Sequence, residues 1–122
     1  MKKLLVLSIL IITSALPACK KKTASLPTGT YKGIVVFNIC SQAMIQTLGP
    51  YYLGEETWVS GTAPGSTVYH HVFAVQNGCQ FGNRSAGDTI NFKVISPEVQ
   101  NCIHCMMFVA VPDSAYAIQV VD

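Results

Sequence analysis

The densest group of chemically reactive side chains in this sequence is Cys102-Ile103-His104-Cys105, which Met106-Met107 follows directly. Thiolates, an imidazole and thioethers are ligand types that suit copper or zinc, and a Cys-x-x-Cys pair can also serve as a redox dithiol. The chain has no second Cys-x-x-Cys pair that would complete a four-thiolate zinc site. The sequence therefore predicts structural disulfides here and no cofactor, with a copper, zinc or thiol-redox site of Cys102, His104 and Cys105 as the alternative.

The fifth cysteine, Cys19, follows an apolar segment at residues 4–18 that begins after Met1-Lys2-Lys3. A charged start, an apolar stretch and a small residue before a cleavage point are typical of a secretory signal. Leu16-Pro17-Ala18-Cys19 resembles the lipobox of bacterial lipoproteins. The resemblance implies that the signal, residues 1–18, is removed and that Cys19 is lipidated, which would attach the protein to a membrane of the cell envelope.

Two alternatives to the lipobox interpretation remain: an ordinary signal peptide cut near Ala18, and an uncleaved membrane helix. The apolar run is shorter than the ~20 residues that span a bilayer, and Pro17 ends it. Residues 19–29 form a flexible basic tether, and residues 30–122 form one β domain. The sequence lacks an acidic run after Cys19, which favours the periplasmic side of the outer membrane.

The charge of the domain excludes one class of partner. From Thr28 onward three basic side chains face six acidic ones, a net charge of −3 with histidine neutral. Electrostatic capture of a phosphate backbone needs the opposite sign. The sequence therefore predicts no nucleic-acid partner and leaves a small molecule, a glycan or a protein as the unknown ligand.

Four cysteines remain after the signal: Cys40, Cys79, Cys102 and Cys105. Because an exported protein meets an oxidising compartment, an even number of cysteines predicts two disulfides, which can be connected in three ways. If strands 31–39, 43–48 and 68–76 form an antiparallel meander, the first and third end at the same edge, near Cys40 and Cys79. We therefore expect a Cys40–Cys79 bridge, worth ~4 kcal/mol in the chain-entropy model, and a local Cys102–Cys105 clasp.

The pattern of apolar residues predicts an all-β domain. Residues 89–95 alternate most clearly, with Ile90, Phe92 and Val94 on one face. Residues 31–39 are apolar at both parities, as in a strand that is covered on both sides. Further strands are predicted at residues 43–48, 57–60, 68–76, 106–111 and 115–121, the last two as a hairpin.

Three of these segments resemble strands of cold-shock domains. Gly33-Ile34-Val35-Val36-Phe37-Asn38 is similar to their first strand, Ala86-Gly87-Asp88-Thr89-Ile90-Asn91-Phe92 to their fourth, and Ala117-Ile118-Gln119-Val120 to the closing strand. The resemblance implies a small antiparallel β-barrel or sandwich, with an OB-like Greek key favoured. The Phe-Gly-Phe pattern on which those domains stack bases is missing, so their nucleic-acid binding is not implied.

Residues 49–66 form the longest irregular segment, with four glycines and two prolines. Long loops in small domains often carry binding sites. Tyr51, Tyr52 and Trp58 are the candidate ligand contacts, because aromatic rings on such a loop offer rigid stacking surfaces. The alternative is that these rings fold back and cover one end of a barrel.

Other polar pairs give no reaction signature. His70-His71 lies in a predicted strand, where neighbouring side chains point to opposite faces, so we expect one surface histidine and one half-buried histidine. Glu55-Glu56 is interpreted as a solvated turn, and no catalytic motif occurs. The sequence thus predicts a non-enzymatic, lipid-anchored envelope protein whose small disulfide-braced β domain acts as a binding or structural module.

Overall fold

The computed structural model describes residues 25–61, 64–103, 105 and 110–122. The predicted signal and lipidation site at Cys19 lie outside these residues, as do His104 and Met106-Met107. In the described residues a 3-10 helix covers Gly78–Gln80, and the strands are β1 (Thr30–Ile39), β2 (Gln42–Leu48), β3 (Trp58–Val59), β4 (Val68–Tyr69), β5 (Val72–Val75), β6 (Thr89–Ile95) and β7 (Ala115–Val121).

Five strands close into a barrel in the order β1-β2-β5-β7-β6, and β6 pairs back onto β1. Neighbouring strands are antiparallel except β5 and β7, which run parallel. Because β7 follows both β5 and β6 in the chain but lies between them, the connectivity is a Greek key. The predicted disulfide-braced, OB-like barrel is confirmed, and the segments expected as its first, fourth and closing strands form β1, β6 and β7.

The barrel interior is filled by apolar side chains, here called the inner core. Its aromatic centre is Phe73, whose ring lies 5.6 Å from that of Phe92 and 5.3 Å from that of Tyr116. A side chain at Gly33 would press into Ile45 and the Phe92 ring, so glycine at this position lets β1 pack closely. The buried members are Val35, Ala43, Ile45, Phe73, Val75, Phe81, Ile90, Phe92 and Ile118.

A buried asparagine side chain extends the parallel pairing between β5 and β7. The backbone leaves β5 and turns into the 3-10 helix, so it cannot continue the ladder to β7. The side chain of Asn77 does so instead: Nδ2 donates to the Ile118 carbonyl at 2.7 Å, and the Ile118 N–H donates to Oδ1 at 2.9 Å. One amide thus satisfies two buried backbone groups that would otherwise lack partners.

The strand predicted at residues 68–76 is wrong as a single element. It is two strands, because the chain breaks at His70-His71, where His71 has a φ of 56°. That left-handed backbone turns the chain out of a two-stranded sheet with β3 and into the barrel. The short strand predicted at residues 57–60 is confirmed as β3.

The predicted final hairpin is also wrong. β7 pairs with β5 at Ala115 and Tyr116, where the hairpin would begin, and with β6 from Ala117 to Val121. Of its predicted partner, residues 106–109 lie outside the described residues. The remaining two, Ala110 and Val111, are not part of any strand.

The predicted disulfide connectivity is wrong, although all four cysteines are bridged. Cys40 pairs with Cys105 and Cys79 with Cys102, with Cα–Cα distances of 5.4 and 5.9 Å. β1 and β5 do run in the same direction, as expected. The error arises because Cys102 and Cys105, which lie between β6 and β7 in the chain, are placed at this end of the barrel. Each of them bonds one of the two barrel cysteines. The sequence separations of 65 and 23 residues correspond to ~4 and ~3 kcal/mol in the chain-entropy model.

The segment from residue 96 to residue 114 is called here the β6–β7 connection, and two of its described parts contact the barrel. Cys102 and Cys105 fasten the first part to the barrel end. In the second part Pro112 is buried, and the Ser114 carbonyl accepts a hydrogen bond from the Ala74 N–H of β5. The described parts of the connection therefore contact both the cysteine-bearing end of the barrel and β5.

Candidate functional site

A second hydrophobic cluster lies outside the barrel wall. Met44, Trp58 and Val72 are buried in it, and Val36, Phe37 and Tyr69 pack against them; these six residues are called the outer cluster. β2 accordingly buries three residues in a row, because Ala43 and Ile45 face the inner core while Met44 faces outward. β2 is therefore covered on both faces.

A bulge in β1 supplies two neighbouring side chains to this outer surface. The register with β2 shifts between Val35 and Phe37, so Val36 is inserted without a partner across the pair. Val36 and Phe37 therefore both contact the outer cluster, whereas strict alternation would send one of them inward. The bulge explains why this strand is apolar at both parities.

The hairpin of β3 and β4 covers the outer cluster. Trp58 pairs with Tyr69 across the hairpin, and their ring centroids lie 5.8 Å apart. Trp58 is only 8% exposed, so its ring packs against the barrel wall. A hairpin with two residues in each strand is too small to be stable alone, and the burial of Trp58 attaches it to the barrel.

Between this hairpin and the β6–β7 connection lies an open recess of about 380 Å³, called here the hairpin recess. Its walls are Val36, Phe37, Met44, Trp58, Tyr69 and Ala110, with Ser60 and Gly61 at its edge. None of these described lining residues carries a formal charge. A concave, mainly apolar space of this size with aromatic walls is typical of small-ligand sites.

The predicted aromatic trio is not brought together. Trp58 forms a wall of the hairpin recess, whereas Tyr52 stacks on His71 with ring centroids 4.0 Å apart. Tyr51 is 71% exposed. Sequence patterns did not indicate Tyr69, which lines the recess next to its cross-strand partner Trp58. The prediction of one strand over residues 68–76 gave no indication of this pairing.

The two histidines lie as expected, one exposed and one half-buried. Nδ1 of His70 lies 3.0 Å from the Glu56 carbonyl oxygen, so the imidazole contacts backbone. Glu55 fastens the loop at residues 49–66 to the β6–β7 connection, because its carboxylate accepts hydrogen bonds from the backbone N–H groups of Asp113 and Ser114. The carboxylate of Glu55 is thus committed to backbone contacts.

The two cysteines of the alternative metal site are bonded to different partners. Cys102 is joined to Cys79 and Cys105 to Cys40, and sulfur in a disulfide cannot act as a thiolate ligand. His104 lies outside the described residues. The alternative site stays a prediction, and it would require reduction of both bridges. Among the residues described here, no group of three metal-ligating side chains comes together.

Comparisons with known proteins add no family assignment. A scan against protein-family models found no match, and searches of curated proteins and of solved structures each found none either. Within the ranges that the structure describes, no helix is long and apolar enough to cross a membrane.

Proposed function

We propose that this chain is a lipid-anchored protein of the bacterial cell envelope, whose barrel serves as a binding module for a small uncharged ligand. The hairpin recess is the observation that carries the binding part of the proposal. Its apolar walls and the two aromatic rings of Trp58 and Tyr69 suit an acyl or aromatic group, or the apolar face of a sugar.

Two features support the envelope location. Leu16-Pro17-Ala18-Cys19 supplies the lipobox resemblance. Both disulfides fasten a single long connection to the barrel, and structural disulfides persist in oxidising compartments outside the cytosol. The tether then separates the lipid at Cys19 from the first barrel strand, which begins at Thr30.

The binding part can be tested with Nile red, an uncharged apolar probe. We expect saturable binding to the oxidised domain, with energy transfer from Trp58, which is the only tryptophan in the chain. Ala110→Phe should abolish this binding, because Ala110 is exposed at the wall of the recess and a larger ring would fill it. The matched control is Val99→Phe, since Val99 is 89% exposed and is not a lining residue. Equal binding by both variants would refute the assignment of the recess.

The anchor is tested separately by the intact mass of protein extracted from bacterial membranes. We expect a mature chain that begins at Cys19 and carries lipid, and we expect Cys19→Ser to release the protein from the membrane fraction. A native chain that still begins at Met1, in a soluble fraction with every thiol reduced, would contradict the proposal. Failure of one test leaves the other result intact, because the anchor and the recess are independent.

A further inference from the structure

The four bridged cysteines lie at one end of the barrel. Cys40 lies near Cys79 and Cys102 lies near Cys105, but the bonds join Cys40 to Cys105 and Cys79 to Cys102. Cys40 belongs to the β1–β2 turn, and Cys79 belongs to the 3-10 helix. These two backbone segments touch, because a Cβ atom added to Gly78 would overlap the carbonyl oxygen of Ser41. Cys102 and Cys105 are only three positions apart in the chain. Each bonded pair therefore has a neighbouring alternative partner.

A polar recess of about 460 Å³, called here the disulfide recess, opens beside the first of these pairs. Cys40, Cys79 and Arg84 line it, together with the neutral polar residues Asn38, Ser41, Asn83 and Ser85. Among the described residues that line this recess, Arg84 alone carries a charge. Its position is fixed, since Nη1 donates a hydrogen bond to the Phe81 carbonyl and the guanidinium lies 5.4 Å from the centre of the Phe81 ring.

We propose that the two disulfides are an exchangeable pair: a small external thiol converts Cys40–Cys105 and Cys79–Cys102 into Cys40–Cys79 and Cys102–Cys105. The exchange releases the first half of the β6–β7 connection from the barrel end, while the contacts of Pro112 and Ser114 with the barrel remain. The inference rests on the disulfides alone and does not depend on the proposed ligand.

The exchange balances without an oxidant or a reductant. The external thiolate attacks Sγ of Cys105, which is exposed; a mixed disulfide forms there and Cys40 leaves as a thiolate. The Cys40 thiolate attacks Sγ of Cys79, forming Cys40–Cys79, and Cys102 leaves as a thiolate. The Cys102 thiolate then attacks the mixed disulfide at Cys105, forming Cys102–Cys105 and regenerating the external thiolate.

The decisive experiment treats the oxidised domain with reduced glutathione in the absence of air, blocks free thiols at intervals, and maps the bridges by peptide mass spectrometry. We expect the Cys40–Cys79 and Cys102–Cys105 bridges to increase together while the total number of disulfides stays constant. Simple loss of the original bridges to free thiols, or complete resistance under conditions that exchange an exposed model disulfide, would overturn the proposal.

A double variant tests the proximity on which the exchange depends. In Cys102→Ala with Cys105→Ala, only Cys40 and Cys79 remain at this end, and we expect them to form an intramolecular bridge when oxidised. Free thiols in a domain whose circular dichroism is still that of the barrel would contradict the inference. If this variant does not fold, the mapping experiment on the unaltered domain decides the question alone.

Discussion

The inner core and the outer cluster share strands β1, β2 and β5 but are enclosed in different ways. Around the inner core the wall is a closed ladder of hydrogen bonds, and Phe73 and Phe92 are fully buried there. Among the described residues, the outer cluster is covered by a hairpin with two residues per strand and bordered by Ala110 of the β6–β7 connection. These covers leave the hairpin recess open beside Trp58.

The difference separates the part of the domain that stabilises the fold from the part that the proposed binding would use. A closed barrel needs a filled interior, because voids in a core cost stability. The outer surface of β1, β2 and β5 is free of that demand, since the barrel is complete without it. Substitutions in the two clusters should therefore lower the free energy of unfolding by different amounts.

The largest effect is expected from Phe73→Ala. Removal of the ring leaves a cavity between Phe92 and Tyr116 that the closed wall cannot fill, and the free energy of unfolding should fall by ~4 kcal/mol. Urea denaturation followed by circular dichroism measures the change. If Phe73→Ala lowered the free energy of unfolding by less than Trp58→Ala, the distinction between the two clusters would be contradicted.

Asn77→Ala should be the next most severe substitution, at ~3 kcal/mol. It leaves both the N–H and the carbonyl of Ile118 without their partner in the buried seam between β5 and β7. Hydrogen exchange should report faster exchange of the Ile118 amide in particular. Gln76→Ala is the matched control, because Gln76 is the exposed neighbour on the same strand end, and it should change little.

Trp58→Ala should cost ~2 kcal/mol, which is less than for a fully enclosed aromatic residue. The indole packs against the barrel on one side, but it borders the open recess on the other, so its removal enlarges a space that water already reaches. The barrel should remain folded by circular dichroism. Complete unfolding of this variant would show that the outer cluster is part of the structural core.

Tyr51→Ala should change the free energy of unfolding by less than ~0.5 kcal/mol, because the side chain is mostly exposed and belongs to neither cluster. It should also leave the binding of Nile red unchanged. Weaker binding by this variant would extend the site along the loop and would restore the predicted grouping of Tyr51 with Trp58.

Local patterns in the sequence determined much of the barrel but little of the site. Apolar and β-branched residues placed β1, β2, β6 and β7 closely, and the alternation expected of a barrel strand is clearest in β6. The break at His70-His71 was invisible, since the apolar pattern continues on both sides of a single left-handed residue. Tyr69 was missed as a recess residue for the same reason.

The disulfide connectivity could not be predicted because it depends on the path of the β6–β7 connection. That segment has no periodicity that would show where it runs. The direction of β1 and β5 correctly placed Cys40 and Cys79 at one end, but proximity alone does not decide which sulfur atoms bond. Trp58 does fold back, as the alternative for the loop aromatics allowed, but it packs against the barrel wall and not over a barrel end. A glycine- and proline-rich loop does not indicate which surface its aromatic rings will cover.

The nested order of the two bridges has a consequence for biosynthesis. Cys79 and Cys102 are enclosed between Cys40 and Cys105 in the chain. If the chain is exported from its N-terminus, as proposed, Cys40 and Cys79 enter the oxidising compartment before Cys102 and Cys105, so vectorial oxidation favours a bond between these two consecutive cysteines. Maturation should then wait for an isomerase or for slow reshuffling, and the yield of correctly bridged protein should depend on that helper more than on the speed of translocation.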